Sequence, residues 1–241
     1  TGDPIDGGWN AIANPSLFHA YIDAGAKDEM YGVNKGQVYD AANERYMEFD
    51  MRSDKLVVGQ PIYVQATTAK PIVADSSSYA GAPARRANVQ NRPMNFEVTL
   101  NANGASATDK LTVRINENKE ENAYVIGQDL VKFGVSTKVA QMWIDRYNAK
   151  LCINTVAPEG ETTSFPLGIY APKTGQYTLS TVSTTADDEE LYVTIDGIPV
   201  WDLATGAYTI DLQQGNTNEY GLLIIRRPAP EVTTGCETIE S

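Results

Sequence analysis

Alternation of apolar and polar residues with a period of two runs through much of this sequence. Residues 96–100 and 111–115 place a large apolar side chain at every second position. Successive side chains of a β-strand point to opposite faces, so this pattern predicts half-buried strands. Similar short runs predict further strands at residues 9–13, 30–33, 37–39, 45–49, 56–58, 62–66, 142–144, 150–154, 165–170, 177–179, 191–195, 200–203, 208–212 and 220–225. Residues 128–133, followed by Gly134, predict one helical turn.

The spacing of these strands predicts an all-β protein built from two adjacent antiparallel β-sandwich-like modules. Turn residues separate the strands at even intervals, as is typical of sandwiches, and a jelly-roll is one possible topology for the second module. Pro83 and Pro93 disfavour a helix before them and enclose a stretch with three arginines. The predicted organisation is a small module at 1–82, a connecting segment at 83–93, a larger sandwich at 94–229 and a tail at 230–241.

Charge narrows the classes of partner. The chain of 241 residues carries 19 basic and 31 acidic side chains, a net charge of -12. Such a surface repels phosphate backbones and anionic lipid, so nucleic acid is not an expected partner. No apolar run approaches the length of a membrane span, so we expect no membrane insertion. The first residues lack the basic and apolar regions of a signal peptide, and we expect the chain to continue covalently at both ends of a longer protein.

The cysteines and the single histidine do not favour a zinc site or a nucleophilic catalytic site. Cys152 and Cys236 are the only cysteines, and no CxxC motif occurs. One lies in a strand pattern and the other in the polar tail, so two inert thiols are favoured over a mutual disulfide or a zinc site. His19 is the only histidine, lies between Phe18 and Ala20, and has no nucleophile motif to serve. No cofactor is predicted.

Several motifs resemble those of large secreted surface proteins of Bacteroidetes. Residues 8–15 are similar to a "GWN-x-x-GNP" opening, although Ala13 stands where glycine is common. The hairpin 38–46 and the run 59–66 are similar to later segments of that module, the run to a "GQ-x-F-x-V" strand with Ile62 and Tyr63 in the aromatic positions. The segments 109–114, 128–133, 151–154, 166–169 and 175–179 resemble the module that comes next there.

The end of the chain extends this resemblance. Residues 233–239 are similar to the "TG-V-E-x-I" segment that precedes a type IX secretion sorting domain, so the tail at 230–241 is expected to lead to such a domain, which residues 1–241 do not include. The resemblance implies an extracellular or cell-surface location. It names no reaction, because such modules accompany adhesins, repeat proteins and enzymes alike.

Acidic residues offer one weak metal candidate. Asp187 and Asp188, with the two glutamates after them, form the densest acidic run. Carboxylate oxygens suit Ca²⁺, but four consecutive acids do not reproduce the spaced ligands of a calcium loop. A solvated turn is the interpretation we favour.

Aromatic residues offer a ligand candidate. Trp201 and Trp143 could stack on a sugar in a secreted β-sandwich, although tyrosine and tryptophan at strand period are more typical of packing within a sheet. Glycan is therefore the ligand to test, together with another cell-surface protein as partner.

Arg85 and Arg86 form a dibasic pair in the connecting segment. Proteases of trypsin-like specificity cleave such pairs in exposed segments, which makes processing a hypothesis beside an ordinary charged loop.

The sequence favours a non-catalytic, extracellular structural or adhesion module, a stalk or spacer of a secreted surface protein. A carbohydrate-binding module attached to a secreted enzyme is the alternative. A hydrolase ranks third, because no nucleophile motif or converging pair of carboxylates can be identified.

Overall fold

The computed structural model describes residues 7–14, 35–50, 54–66, 94–102, 108–117, 119, 122–183 and 189–226; for 94, 95, 182 and 183 only the backbone is described. These residues form sixteen strands. The first eight are β1 (Trp9–Ala13), β2 (Lys35–Asp40), β3 (Arg45–Asp50), β4 (Pro61–Gln65), β5 (Met94–Ala102), β6 (Thr108–Ile115), β7 (Leu130–Val131) and β8 (Gln141–Arg146). The others are β9 (Ala149–Val156), β10 (Thr162–Ala171), β11 (Gly175–Ser183), β12 (Glu189–Ile195), β13 (Ile198–Asp202), β14 (Tyr208–Leu212), β15 (Gly215–Thr217) and β16 (Tyr220–Arg226).

The strands form two sheets, and no helix occurs among the described residues. The N-terminal sheet has the order β1-β4-β2-β3. The main sheet has the order β13-β12-β16-β10-β8-β9-β6-β5-β11-β14, with β15 paired to β10 and β7 paired to β9. The all-β, sandwich-like fold predicted from the sequence is confirmed.

The N-terminal sheet is built on a hairpin. Strands β2 and β3 pair with Tyr39 opposite Tyr46. The Asp40 carboxylate accepts hydrogen bonds from the backbone N–H groups of Ala42 and Asn43, at 3.1 and 3.4 Å, and so stabilises the turn at 41–44. One face of the sheet buries a small apolar cluster made of Phe49, Leu56, Ile62 and Val64.

The main sheet encloses the large core. The alternation that predicted β5 and β6 is confirmed, since Phe96, Val98 and Leu100 are buried together with three residues of β6, namely Leu111, Val113 and Ile115. Strand β10 is long enough to pair with β16 along its first half and with β8 along its second half. This shared strand carries Phe165, Leu167 and Ile169 into the same core.

Two local predictions differ from the structure. Strands β6 and β9 pair in parallel, whereas the sequence predicted antiparallel pairing throughout. The helical turn predicted at 128–133 is wrong, because Leu130 and Val131 form the short strand β7 beside β9. The Asp129 side chain accepts a hydrogen bond from the Val125 N–H. The backbone of the next two residues pairs with β9.

Two-residue hairpin loops appear where the sequence predicted turns. Tyr147 and Asn148 both have positive φ, 57° and 55°, and connect β8 to β9. Asp196 and Gly197 do the same between β12 and β13. Positive φ at both positions gives the twist that joins two antiparallel strands closely.

The strand predicted at 30–33, the connecting segment at 83–93 and the tail at 230–241 lie outside the described residues.

Candidate functional site

The two predicted sugar-contacting tryptophans have different surroundings. Trp201, on the edge strand β13, is 39% exposed. Its indole Nε1–H donates to the Gly206 carbonyl at 3.0 Å, and its ring stacks on Tyr208 with centroids 5.8 Å apart and an interplanar angle of 27°. The ring is therefore held in one orientation with part of its surface open to solvent.

Trp143 is not available to a sugar, which corrects that part of the hypothesis. It is 1% exposed and lies on β8 opposite Gly168 of β10. The Lys150 ammonium lies 3.8 Å from the centroid of its ring. Three strands, β12, β16 and β10, separate β8 from the strand of Trp201, so the two tryptophans do not form one platform.

Six other residues singled out in the sequence lie outside the described residues. These are the dibasic pair Arg85 and Arg86, the acidic residues Asp187 and Asp188, His19 and Cys236. Within the described ranges, no three His, Cys, Asp or Glu side chains are grouped to hold a metal ion. Cys152 is a buried free thiol whose pKa is raised to about 12, chiefly by burial.

A buried charge cluster lies where the N-terminal sheet meets the main sheet. Lys132 donates to both carboxylate oxygens of Asp109, at 2.9 and 2.8 Å. The Met142 N–H donates to the same carboxylate at 2.8 Å. Arg45, from β3, approaches Asp109 to 3.9 Å and donates to the Thr108 carbonyl at 3.0 Å. The side chains of Arg45, Asp109 and Lys132 are each at most 5% exposed, so Asp109 supplies a buried counter-charge to two cations.

Buried amide groups extend this contact along the sheets. Gln37 of β2 donates to the Val131 carbonyl and accepts from the Phe133 N–H at 3.0 Å. Gln65 of β4 accepts from the hydroxyl of Tyr124. Burial raises the pKa of that phenol, which keeps it a hydrogen-bond donor across the accessible pH range.

Phe133 is the aromatic centre of the same contact. Its ring centroid lies 4.3 Å from that of Trp9, 5.3 Å from that of Tyr46 and 5.8 Å from that of Tyr63. The three partners all belong to the N-terminal sheet, whereas Phe133 comes after β7 of the main sheet. Offset and edge-to-face rings at these distances add directional contacts to the apolar area they bury.

We name this arrangement the inter-sheet contact. It consists of Arg45, Asp109 and Lys132, the glutamines Gln37 and Gln65, Tyr124, and the aromatic residues Trp9, Tyr46, Tyr63 and Phe133. Its chemistry suits a fixed connection between the sheets, because Arg45, the two glutamines and the aromatic rings have partners on the opposite sheet, while Lys132 and Asp109 pair within the main sheet.

Sequence reasoning did not identify the inter-sheet contact. One signal was available at Lys132, a charged residue directly between Val131 and Phe133. A charge inside an apolar run requires a buried partner if the run is buried. The identity of that partner, Asp109, depends on the pairing of distant strands.

In the part of the chain that the structure describes, no helix is long and apolar enough to cross a membrane.

Comparison with protein-family models, with curated proteins and with solved structures gives no match. The inter-sheet contact and the exposed ring of Trp201 therefore carry the functional assignment.

Proposed function

We propose that the chain is a non-catalytic structural or adhesion module of a secreted surface protein, in which two sheets act together as a stalk or spacer. The inter-sheet contact supports this proposal most directly. A spacer has to transmit force or hold distance without hinging, and separating the two sheets would break the bonds of Arg45 and Gln37 to the main sheet and the ring contacts of Phe133 all at once.

Two features of the contact favour a rigid connection over a mobile one. It combines buried ion pairs with oriented aromatic rings, and both lose their favourable geometry after small displacements. Gln37 binds backbone groups on either side of Lys132, so it sets the position of β2 relative to the main sheet.

The extracellular location is part of the proposal. It rests on the resemblance of residues 8–15, 59–66 and 233–239 to motifs of Bacteroidetes surface proteins, and on the net charge of -12. The proposed partners are a glycan or another protein of the cell surface.

Pulling the chain by its two ends tests the spacer. We expect one cooperative rupture in single-molecule force measurements, because the sheets support each other through the buried contact. Arg45→Ala, which removes the charge supplied by β3, is expected to split the trace into two events. Lys138→Ala is the matched control, since its ion pair with Glu44 is about half exposed on both sides, 52% and 54%.

Two independent ruptures in the unaltered protein would contradict a rigid spacer. Turnover of glycans or peptides at enzyme-like rates by the purified protein would contradict a non-catalytic role.

A carbohydrate-binding module is the second proposal, and the state of Trp201 favours it. Its ring is fixed by the bond to Gly206 and by Tyr208, so little side-chain freedom is lost when a sugar ring stacks on it. Pro199 lies on the same edge strand and removes one backbone donor. A ligand is thus expected to use the exposed side chains rather than to extend the sheet.

Trp201→Ala tests this second proposal. We expect loss of binding on a glycan array by a protein that stays folded, with the free energy of unfolding lowered by about 2 kcal/mol, because the bond to Gly206 and the stacking on Tyr208 are lost together. Val57→Ala is the matched control, an exposed apolar residue of the N-terminal part that is 42% exposed. Equal glycan binding by the unaltered protein and Trp201→Ala would eliminate this site.

A further inference from the structure

A second buried ion pair lies after strand β6, apart from the inter-sheet contact. The Lys119 ammonium is 2.8 Å from Oδ2 of Asp129, and the two side chains are 1% and 0% exposed. Asp129 comes directly before β7, and Thr155 of β9 lies against both groups. The pair is therefore enclosed by protein on all sides.

The two oxygens of the Asp129 carboxylate have different surroundings. Oδ2 accepts bonds from Lys119 Nζ at 2.8 Å and from the Val125 N–H at 2.9 Å. Oδ1 accepts bonds from the Thr155 N–H at 2.7 Å and from the Asn154 side-chain amide at 3.1 Å. One oxygen thus faces the amine, while the other lies between two neutral donors.

The amine is held just as closely. Lys119 Nζ also donates to the Thr155 carbonyl, lies 3.5 Å from the Tyr147 hydroxyl and lies 5.4 Å from the centre of that ring. The 2.8 Å contact places Nζ directly beside the carboxyl group that it would attack, so the two reacting groups are already brought together by the fold.

We propose that Lys119 and Asp129 condense to an intramolecular isopeptide bond between Nζ and the carboxyl carbon Cγ. This is a covalent modification site, and it does not depend on the proposed spacer and glycan-binding roles. The geometry combines a nucleophile, an electrophile and two donors on the oxygen that remains.

The reaction balances without an oxidant or a cofactor. A proton first passes from the ammonium to Oδ2, 2.8 Å away, which gives a neutral amine and a carboxylic acid. The Nζ lone pair then forms a bond to Cγ, and the electrons of the Cγ–Oδ1 double bond move to Oδ1. A second proton passes from nitrogen to Oδ2, the Cγ–Oδ2 bond breaks, and water leaves as the carbonyl reforms.

Two neutral donors stabilise the charge that develops in this step. The Thr155 N–H and the Asn154 amide both point at Oδ1, the oxygen that becomes negative in the tetrahedral intermediate. Preorganised donors of this kind are an effective way to lower the barrier of acyl transfer. Asn154 is therefore assigned as the residue that positions and stabilises this oxygen.

The product also fits the site. An amide has one N–H, and the Thr155 carbonyl already accepts from Nζ. Its carbonyl oxygen keeps both donors on Oδ1, while the Val125 N–H, on a half-buried residue, loses Oδ2. Condensation replaces two buried charges by one neutral, hydrogen-bonded group, which removes their desolvation penalty.

The other buried pair, Lys132 and Asp109, lacks these features. Arg45 lies 3.9 Å from Oδ1 of Asp109, so a cation rather than a pair of neutral donors faces that oxygen. Lys132 contacts both oxygens at nearly equal distances, so neither is set aside between two neutral donors. Of these two pairs, the cross-link is thus expected at Lys119 and Asp129.

Intact mass spectrometry of the full chain, denatured before injection, tests the proposal. We expect a mass about 18 Da below the sequence mass, the mass of one water, in a form that heat and reductant do not reverse. After trypsin digestion, residues 115–132 are expected as one peptide, because acylated Lys119 is no longer a cleavage site. Lys119→Arg and Asp129→Ala are expected to show their full sequence masses.

Lys138→Ala, whose altered residue pairs with Glu44 at the surface, is the control and is expected to keep the 18 Da loss. The full sequence mass in the unaltered protein overturns the proposal, whether or not the variants fold. Normal tryptic cleavage after Lys119 overturns it as well, and a loss of about 17 Da, the mass of ammonia, would overturn the assignment to Asp129 in favour of Asn154.

Discussion

Asp109→Ala is expected to lower the free energy of unfolding by about 3–5 kcal/mol, because it leaves the Lys132 charge buried without a counter-charge and removes the more buried of the two carboxylates beside Arg45, the other being Asp40 at 3.5 Å. The Met142 N–H loses its acceptor in the same variant. Domains are typically stable by only about 5–15 kcal/mol, so this change should bring the protein close to unfolding. Urea unfolding followed by circular dichroism measures it.

Two further variants separate the buried charge from ordinary surface charge. Glu97→Ala removes the partner of Lys110, a pair whose side chains are 31% and 50% exposed, and should change stability by less than about 1 kcal/mol. The double variant Asp109→Leu with Lys132→Leu removes both charges of the closest pair and should recover part of the loss. A loss below about 1 kcal/mol for Asp109→Ala would show that Lys132 and Arg45 are not buried as the structure has them.

Strand positions were predictable because they depend on local pattern. The alternation at 96–100 and 111–115 appears directly as strands β5 and β6, since a period of two places every second side chain on one face. The turn at 196–197 was equally local, because aspartate and glycine tolerate the positive φ that the hairpin needs.

Strand pairing was harder to predict from the sequence, because it depends on contacts between residues that are far apart in the chain. Strand β9 comes after β8 in a hairpin, yet its other edge pairs in parallel with β6. Residues 128–133 illustrate the consequence. A short apolar run fits a helical turn as well as a strand, and only the neighbouring edge of β9 decides for the strand.

The candidate site was missed for the same reason. Asp109 sits at the start of an alternating strand, where an acidic residue usually faces water, and Lys132 is 23 residues away. Arg45 comes from a different sheet. Nothing in the local sequence around any of the three residues indicates that β3, β6 and the segment after β7 meet.

The burial of Trp143 depends on a glycine of the neighbouring strand. The sequence offered it as an exposed sugar contact, but Gly168 on the neighbouring strand leaves a space that the indole fills. The missing Cβ is what allows the ring to lie flat against the backbone of β10. Lys150 lies over the ring and completes its burial.

Gly168→Ala is accordingly expected to lower the free energy of unfolding by about 3 kcal/mol, at the upper end of the range for overpacking. A Cβ at this position would lie 2.7 Å from Cζ2 of Trp143 and closer still to Nε1 and Cε2. Since Trp143 is 1% exposed, its ring has to leave the space it fills or displace strand β10. Urea unfolding monitored by tryptophan fluorescence measures both the stability and the environment of the ring.

Gly175→Ala is the matched control for that substitution. No atom lies within 4 Å of the position that its new methyl group would take, and it stands at the start of β11 in the same main sheet. We expect its stability to stay within about 0.5 kcal/mol of the unaltered protein. The double variant Gly168→Ala with Trp143→Phe should be less destabilised than the sum of its two single variants, because the smaller ring makes room for the methyl group. Additive losses would mean that the glycine and the indole do not share one space.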